Sequence, residues 1–170
     1  MFGGVFLRKI LIAFLVLLSL VLQGCSALTF KCELSSSDIA ARCIKDSRPD
    51  VSIYMGRGTP YDTLSKEKMN LLYGFSDAAD KCIDYTVYLS RDDLVWEIHI
   101  YRVVSAYDND EVMKMLLQRQ NTISMAEVGE YSKESLDRAR ESLVFSKKNI
   151  VCLLITENNE KYKEIICKCV

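Results

Sequence analysis

The sequence predicts a single α+β domain with a mainly antiparallel sheet, and three patterns carry this prediction. Two segments, 82–104 and 143–156, each read as two apolar-rich strands joined by a short polar turn, which is typical of β-hairpins. A long amphipathic segment, 108–129, separates them, and another closes the chain at 157–170. With two short helices expected before the first hairpin, the predicted order is α-α-ββ-αα-ββ-α.

The two short helices are indicated by their end signals. Serines before Asp38 offer an N-cap to the first helix, and Cys43 takes one of its apolar positions. Ser65 and Gly74 bound the second helix, as expected for an N-cap and a terminating glycine. The Pro- and Gly-containing stretch between these helices predicts a loop with a short strand at 51–54.

The first hairpin supplies candidate binding residues. Glu97, His99 and Tyr101 alternate with apolar residues and therefore share one strand face. We expect this face to be partly solvated, with His99 at the surface, because one face of an antiparallel sheet is often wet. Its mixture of aromatic and polar groups suits contact with a protein or a glycan.

The long helix contains one local conflict. Arg119 falls inside the apolar stripe formed by Val112, Leu116 and Ile123. One interpretation is a packed aliphatic stem whose guanidinium reaches water or a carboxylate, and the other is an arginine that binds a ligand. Tyr131, just before the next helix, is a further binding candidate.

The second hairpin is expected to turn at 147–149. Residues 150–155 are apolar on both faces, which predicts a central strand covered from both sides. The final segment places Tyr162, Ile166 and Cys169 on one stripe, as in an amphipathic helix that closes the core.

The N-terminus has the pattern of a secretory signal. Arg8 and Lys9 precede a run of thirteen residues, 10–22, that is apolar except for Ser19. A membrane-spanning helix needs about 20 apolar residues, so this run is short for one. An uncleaved N-terminal anchor is the alternative interpretation.

The run ends in Leu22-Gln23-Gly24-Cys25, which looks like a bacterial lipobox. In such a signal the Cys25 thiol accepts a diacylglyceryl group and becomes the N-terminus after cleavage following Gly24. Two acyl chains give stable membrane attachment. The predicted organisation is a signal peptide at 1–24, a lipid-anchored tether at 25–35 and a globular domain at 36–170.

Charge and cysteine content limit the function further. The chain has a net charge of −1, and without residues 1–24, which hold Arg8 and Lys9 and no acid, it has −3. No basic patch with interleaved aromatics occurs, so nucleic acid is not an expected partner. Buried thiols are favoured over disulfides for the six further cysteines: Cys32, Cys43, Cys82, Cys152, Cys167 and Cys169.

Several stretches combine these elements with particular residues: LSKEKMNLLYGFS, DYTVYLS, WEIHIYRV, LLQRQ and YSKESLDRARESLVFSKKNIVCLLITEN. Together they resemble a small lipoprotein family of anaerobic Gram-positive bacteria, the domain of unknown function forty-three fifty-eight. Arg119, Gln120 and Tyr131 match residues of its pattern, whereas Lys148-Asn149 stands where the family favours glycine. The resemblance implies a lipoprotein of the predicted architecture and implies no activity.

The expected function is a non-catalytic binding or structural module on the outer face of the cytoplasmic membrane, with a cell-envelope protein or glycan as partner. The one histidine, His99, lies in mid-strand, and no paired cysteine motif occurs, so neither an enzyme nor a metal or other cofactor is predicted. The alternative is a small cell-envelope hydrolase that uses surface carboxylates or His99. A transport-linked solute receptor is disfavoured because it generally needs two lobes.

Overall fold

The structure is a computed structural model, and it describes residues 32–46, 50–56, 63–74, 77–91, 95–126 and 131–170. The described residues belong to one compact unit, Lys31–Val170. The predicted signal peptide and Cys25 lie outside the described residues. Among the helices that are described, none is both long and apolar enough to span a membrane.

The described residues form five α-helices and a five-stranded sheet, which confirms the predicted α+β class. The helices are α1 (Ser36–Ile44), α2 (Lys66–Tyr73), α3 (Asn109–Ser124), α4 (Lys133–Arg140) and α5 (Asn159–Cys169). The strands are β1 (Val51–Gly56), β2 (Cys82–Ser90), β3 (Glu97–Val103), β4 (Leu143–Lys147) and β5 (Ile150–Ile155). Short 3-10 helices occupy Ala78–Lys81 and Ala106–Asp108.

The sheet has the order β1-β2-β3-β5-β4, and every neighbouring pair is antiparallel. The two predicted hairpins are β2-β3 and β4-β5, and they join through β3 and β5 at the centre. The strand predicted at 51–54 is β1, which adds an edge to β2. All six residues of β5 are fully buried, as its two-sided apolar pattern predicts.

Helices cover both faces of the sheet, so the domain has three layers. On one face α1 and α5 bring Ile39 and Ile166 against Ile100 of β3. On the other face α2, α3 and α4 cover the opposite side of β3 and β5, with Leu116 of α3 in that core. Because β3 lies between both layers, neither of its faces is wet.

Serines cap the N-termini of α1, α2 and α4, whereas Asp108, which precedes α3 and has the sequence pattern of a cap, makes no capping hydrogen bond with its side chain. The hydroxyls of Ser35, Ser65 and Ser132 each accept a hydrogen bond from the backbone amide three residues on, at 3.1 Å. Gly74 ends α2 with a φ of +72°, which a side chain would disfavour. Lys148, in the β4–β5 turn, has a φ of +53°, the left-handed region that glycine adopts more easily.

The compact unit begins earlier than residue 36. The Cys32 amide donates to the Asn149 side-chain oxygen at 2.9 Å, and Arg102 donates to the Cys32 carbonyl at 3.3 Å. Cys32 is also buried. These bonds attach residues 32–35 to the domain, although the sequence assigns them to the tether.

The described cysteines are free thiols. Cys32, Cys43, Cys82 and Cys152 are buried, which confirms the apolar role predicted for Cys43 and Cys152. Burial raises the pKa of Cys43 to about 12 and raises that of Cys152 well above its usual range. Such thiols stay protonated and behave as small apolar side chains.

Candidate functional site

The candidate residues of β3 lie in the core and not at the surface. Glu97 is 1% exposed, and His99 and Tyr101 are 0% exposed. The expectation of a partly solvated face with an exposed His99 is therefore wrong. The cause is tertiary: α2 and α3 pack on the face of the strand that carries these three side chains.

A chain of hydrogen bonds links these residues to Tyr73 of α2. The Tyr101 hydroxyl donates to the Tyr73 oxygen at 2.8 Å, and the Tyr73 oxygen lies 2.6 Å from His99 Nδ1. Tyr73 therefore uses its own proton to donate to Nδ1. The proton of His99 is then on Nε2, which lies 2.7 Å from Glu97 Oε2 and donates to it. The hydrogen-bond network thus assigns His99 the neutral Nε2–H tautomer.

Arg119 of α3 completes this network from the helix side. Its Nε donates to Glu97 Oε2 at 3.2 Å, and its Nη2 donates to Glu97 Oε1. Two donors on two oxygens form the forked geometry that favours an arginine–carboxylate pair. This confirms the interpretation in which Arg119 packs its stem in the stripe and pairs its head with a carboxylate. We call Tyr73, Glu97, His99, Tyr101 and Arg119 the buried polar network.

The ionisation of the network is fixed by these contacts. Burial alone raises the pKa of Glu97, but the hydrogen bonds that its carboxylate accepts from His99 and Arg119, together with the charge of Arg119, outweigh burial and lower the pKa from 4.5 to about 2. Burial lowers the pKa of Arg119, but the bond to Glu97 reverses this and raises it. Burial raises the pKa of Tyr73 beyond the physiological range, so this phenol stays neutral. One carboxylate and one guanidinium therefore balance each other.

Tyr131 is the remaining candidate, and it lies beside the network without joining it. Its ring is partly buried against the core cluster that contains Leu116 of α3, and its phenol lies close enough to Arg119 to interact with it electrostatically. Tyr73 was not among the sequence candidates, because its place in an apolar helix stripe gives no sign of a polar partner. The signal available was its position directly before Gly74, where the helix ends against the sheet.

The order tyrosine, histidine, glutamate is chemically able to pass a proton, but in the part of the chain that the structure describes these groups are buried and bonded to one another. Each ring nitrogen of His99 and each oxygen of Glu97 has a partner inside the network. Within the network only Arg119 is visibly exposed, with 13% of its side-chain surface accessible, against 2% for that of Glu97. A satisfied and buried network of this kind fixes how α2 and α3 sit on β3.

Replacing Tyr73 by phenylalanine tests this role. The change leaves the Tyr101 hydroxyl and His99 Nδ1 without partners, so we expect a loss of about 1–3 kcal/mol in unfolding free energy. Urea unfolding followed by circular dichroism measures the loss. The same change at Tyr107, which is 94% exposed, is the control and should alter stability by less than about 0.5 kcal/mol. Equal effects at both positions would contradict a structural role for the Tyr73 hydroxyl.

Concave surfaces also lie outside the network, and two of them bear on the candidate functions. A cavity of about 330 Å³ opens beside β2 where β1 has ended, and it is lined by Asp77, Asp80 and Asp84 among others. Gly56 stands at its border, and a side chain there would collide with the ring of Tyr85. No group of three metal-ligating side chains suited to an ion occurs among the residues that the structure describes.

The larger surface is an open groove of about 910 Å³ between α4 and the start of α5, which we call the α4–α5 groove. Its lining is rich in charge and includes Glu134, Asp137, Glu141, Glu157 and Glu160 as well as Lys133, Arg138 and Lys161. Arg138 bridges the groove to Glu157 at 2.9 Å, and the Trp96 indole donates to the same carboxylate at 3.2 Å. None of the groove residues was a candidate from sequence, because their charges look like ordinary solvated helix surface.

Comparison with known proteins adds no assignment. No protein-family model, no curated protein and no solved structure matches the chain. The resemblance to the lipoprotein family therefore stays a prediction. Any functional assignment depends on the N-terminal motif and on the geometry of the domain.

Proposed function

We propose that the protein is a lipoprotein held on the outer face of the cytoplasmic membrane, where its domain serves as a non-catalytic binding or structural module. The observation that carries the proposal is the N-terminal motif, in which Leu22-Gln23-Gly24-Cys25 follows a charged pair and a short apolar run. Cys25 is the residue that receives the lipid. The resemblance to the lipoprotein family, domain of unknown function forty-three fifty-eight, supports the same assignment.

The buried polar network supports a module that does not perform chemistry. General-base or nucleophilic catalysis with histidine requires one ring nitrogen to face a substrate. Both nitrogens of His99, the chain's one histidine, are engaged in the core. The residue types that most often act in catalysis therefore stabilise the fold in this protein.

The α4–α5 groove is the surface that fits a partner best. It is open, it mixes acidic and basic side chains, and one of its acids, Glu157, accepts a hydrogen bond from the Trp96 indole. Such lining suits a polar ligand, as offered by an envelope protein or a glycan, better than it suits an apolar one. The network candidates Glu97, His99 and Tyr101 are buried and do not contribute to this surface.

The alternative function, a small envelope hydrolase, has its best support in the acid-lined cavity beside β2. Asp84, however, is ion-paired with Arg102 and accepts a hydrogen bond from the Ser36 amide at 3.1 Å. A carboxylate held in this way ties α1 to the sheet. The cavity is therefore weak support for a hydrolase. The α4–α5 groove is stronger support for a binding module.

Changing Cys25 tests the proposal. The full chain, produced in a Gram-positive host, should carry a diacylglyceryl group by intact mass and remain with membranes, and Cys25→Ala should lose both properties. Cys167→Ala is the matched control, because Cys167 is a partly exposed thiol far along the chain, and it should be lipidated like the wild type. A wild-type chain that retains residues 1–24 and carries no lipid would contradict the proposal and favour the uncleaved anchor.

A further inference from the structure

One end of the sheet holds both the start of the described chain and an exposed aromatic ring. The Cys32 amide donates a hydrogen bond to the Asn149 side chain. That side chain in turn donates to the carbonyl of Val103, the last residue of β3, at 3.2 Å. Directly after β3, Val104 is 50% exposed and Tyr107 is 94% exposed. We call this region the tether end.

The β4–β5 turn belongs to the same end. The Asn109 side chain, two residues beyond Tyr107, donates to the Lys148 carbonyl at 2.7 Å. Lys147 and Lys148 are both exposed in this turn. Acidic side chains also occur nearby, at Asp110 and Glu111, so the charge of the tether end is mixed.

The length of the connection fixes how far this end can move from a lipid on Cys25. Seven Cα–Cα steps separate Cys25 from Cys32. Fully extended, they reach at most about 25 Å. This step depends on the proposed lipidation of Cys25, and under it the bilayer always lies within that distance of Cys32.

We infer that the tether end docks on the lipid interface and that Tyr107, with Val104 beside it, enters the headgroup region. Tyrosine suits this position because its ring is apolar while its hydroxyl bonds to water and headgroups. The exposed β4–β5 turn, whose Lys147 ammonium donates to the Cys167 carbonyl at 2.7 Å, then lies at the level of the lipid phosphates. The charge of this end is mixed, and a tether of up to about 25 Å keeps the domain near the bilayer without fixing its direction. Insertion of the Tyr107 ring therefore sets the orientation.

The orientation assigns a direction to the α4–α5 groove. Asn149 precedes β5 at the tether end, whereas Thr156 and Glu157 follow β5 and line the groove. A strand of six residues separates them, which corresponds to about 20 Å. The groove therefore faces away from the bilayer, open to a partner in the envelope.

Tryptophan placed at either end of α3 tests this orientation. Tyr107→Trp lies just before the helix, and Met125→Trp lies just after it, at a residue that is 81% exposed. Each full-length variant is made in a Gram-positive host, checked for lipid by mass, and reconstituted into phosphatidylglycerol–phosphatidylcholine vesicles with or without bromine on the acyl chains. The wild type, whose one tryptophan is Trp96, gives the baseline.

Bromine should cause a loss of the added Tyr107→Trp emission and no loss of the Met125→Trp emission. Three results with lipidated, vesicle-bound protein would overturn the orientation: equal quenching at both positions, quenching at neither, or quenching of Met125→Trp alone. Each of them would leave the lipoprotein assignment intact. Protein that carries no lipid and does not sediment with vesicles would overturn the proposed function, and this inference with it.

Discussion

Replacing Arg119 by methionine is expected to lower the free energy of unfolding by about 3–5 kcal/mol, because it leaves a buried carboxylate without its counter-ion. Glu97 is 1% exposed, and its other partner, His99, is neutral in the assigned tautomer. Methionine retains an unbranched stem in the apolar stripe of α3, so the loss reports mainly the missing charge. Urea unfolding at pH 7 measures it.

Arg140→Met is the matched control for this change. Arg140 forms an ion pair with Asp137 on α4 at 3.2 Å, and about half of each side chain is exposed. Exposed pairs contribute less than about 1 kcal/mol, so this variant should remain close to the wild type. If Arg119→Met lowers the unfolding free energy no more than Arg140→Met does, the Arg119 guanidinium does not compensate the buried charge of Glu97.

Lowering the pH should reduce the difference in unfolding free energy between Arg119→Met and the wild type. In the wild type the pKa of Glu97 is lowered to about 2, so the carboxylate contributes stability above its ordinary pKa of 4.5, and this contribution is lost as the pH falls through about 2. Without Arg119, burial acts with less opposition and the pKa rises. The folded variant then takes up a proton between about pH 6 and pH 3 that the folded wild type does not, and this uptake favours folding. A gap in unfolding free energy that stays constant over this range would contradict the assignment.

The local parts of the fold could be predicted because they depend on residues that are close in sequence. Ser65 and Gly74 mark the ends of α2 by capping chemistry alone, and the two-sided apolar run of β5 shows that it is central. The edge strand β1 was visible only as a short segment. Packing of its last residue, Gly56, against the ring of Tyr85 could not be foreseen, since that contact joins two strands.

The burial of His99 could not be predicted for a physical reason. Alternation along β3 shows that Glu97, His99 and Tyr101 share a face, but it does not show which layer covers that face. Polar residues on a strand usually face water, and here they face one another beneath α2 and α3. Their burial is tolerated because Arg119 and Tyr73 arrive from two helices with complementary groups.

Arg119 was the one sequence signal that led to the network. A charged residue inside an apolar helix stripe requires a partner, and the pattern therefore predicts a carboxylate or water at that place. Glu97 lies on another element, 22 residues away, so the sequence could not select it from the chain's other acids. The groove gave no comparable signal, because charges on α4 and at the start of α5 conflict with no local pattern.

Shortening Leu116 to alanine is expected to lower the free energy of unfolding by about 2–5 kcal/mol, because it leaves a cavity in the core between α3 and the sheet. Leu116 is 0% exposed, and the adjacent Leu117 is 39% exposed. Leu117→Ala removes the same atoms from the same helix at a half-solvated position, so it should change stability by about 0.5 kcal/mol or less. Urea unfolding of the pair compares the two faces of α3 directly.

This comparison also tests the buried polar network from an independent direction. Arg119 is three residues after Leu116, and Ile123 is four residues after Arg119, so all three lie on one face of α3. If Leu116→Ala lowers the unfolding free energy strongly and Leu117→Ala does not, the helix face that carries Leu116 packs on the sheet. Arg119, on the same face, is then directed at Glu97. If the two changes cost the same, α3 is rotated on the sheet, and the arginine would have to find a partner other than the carboxylate of β3.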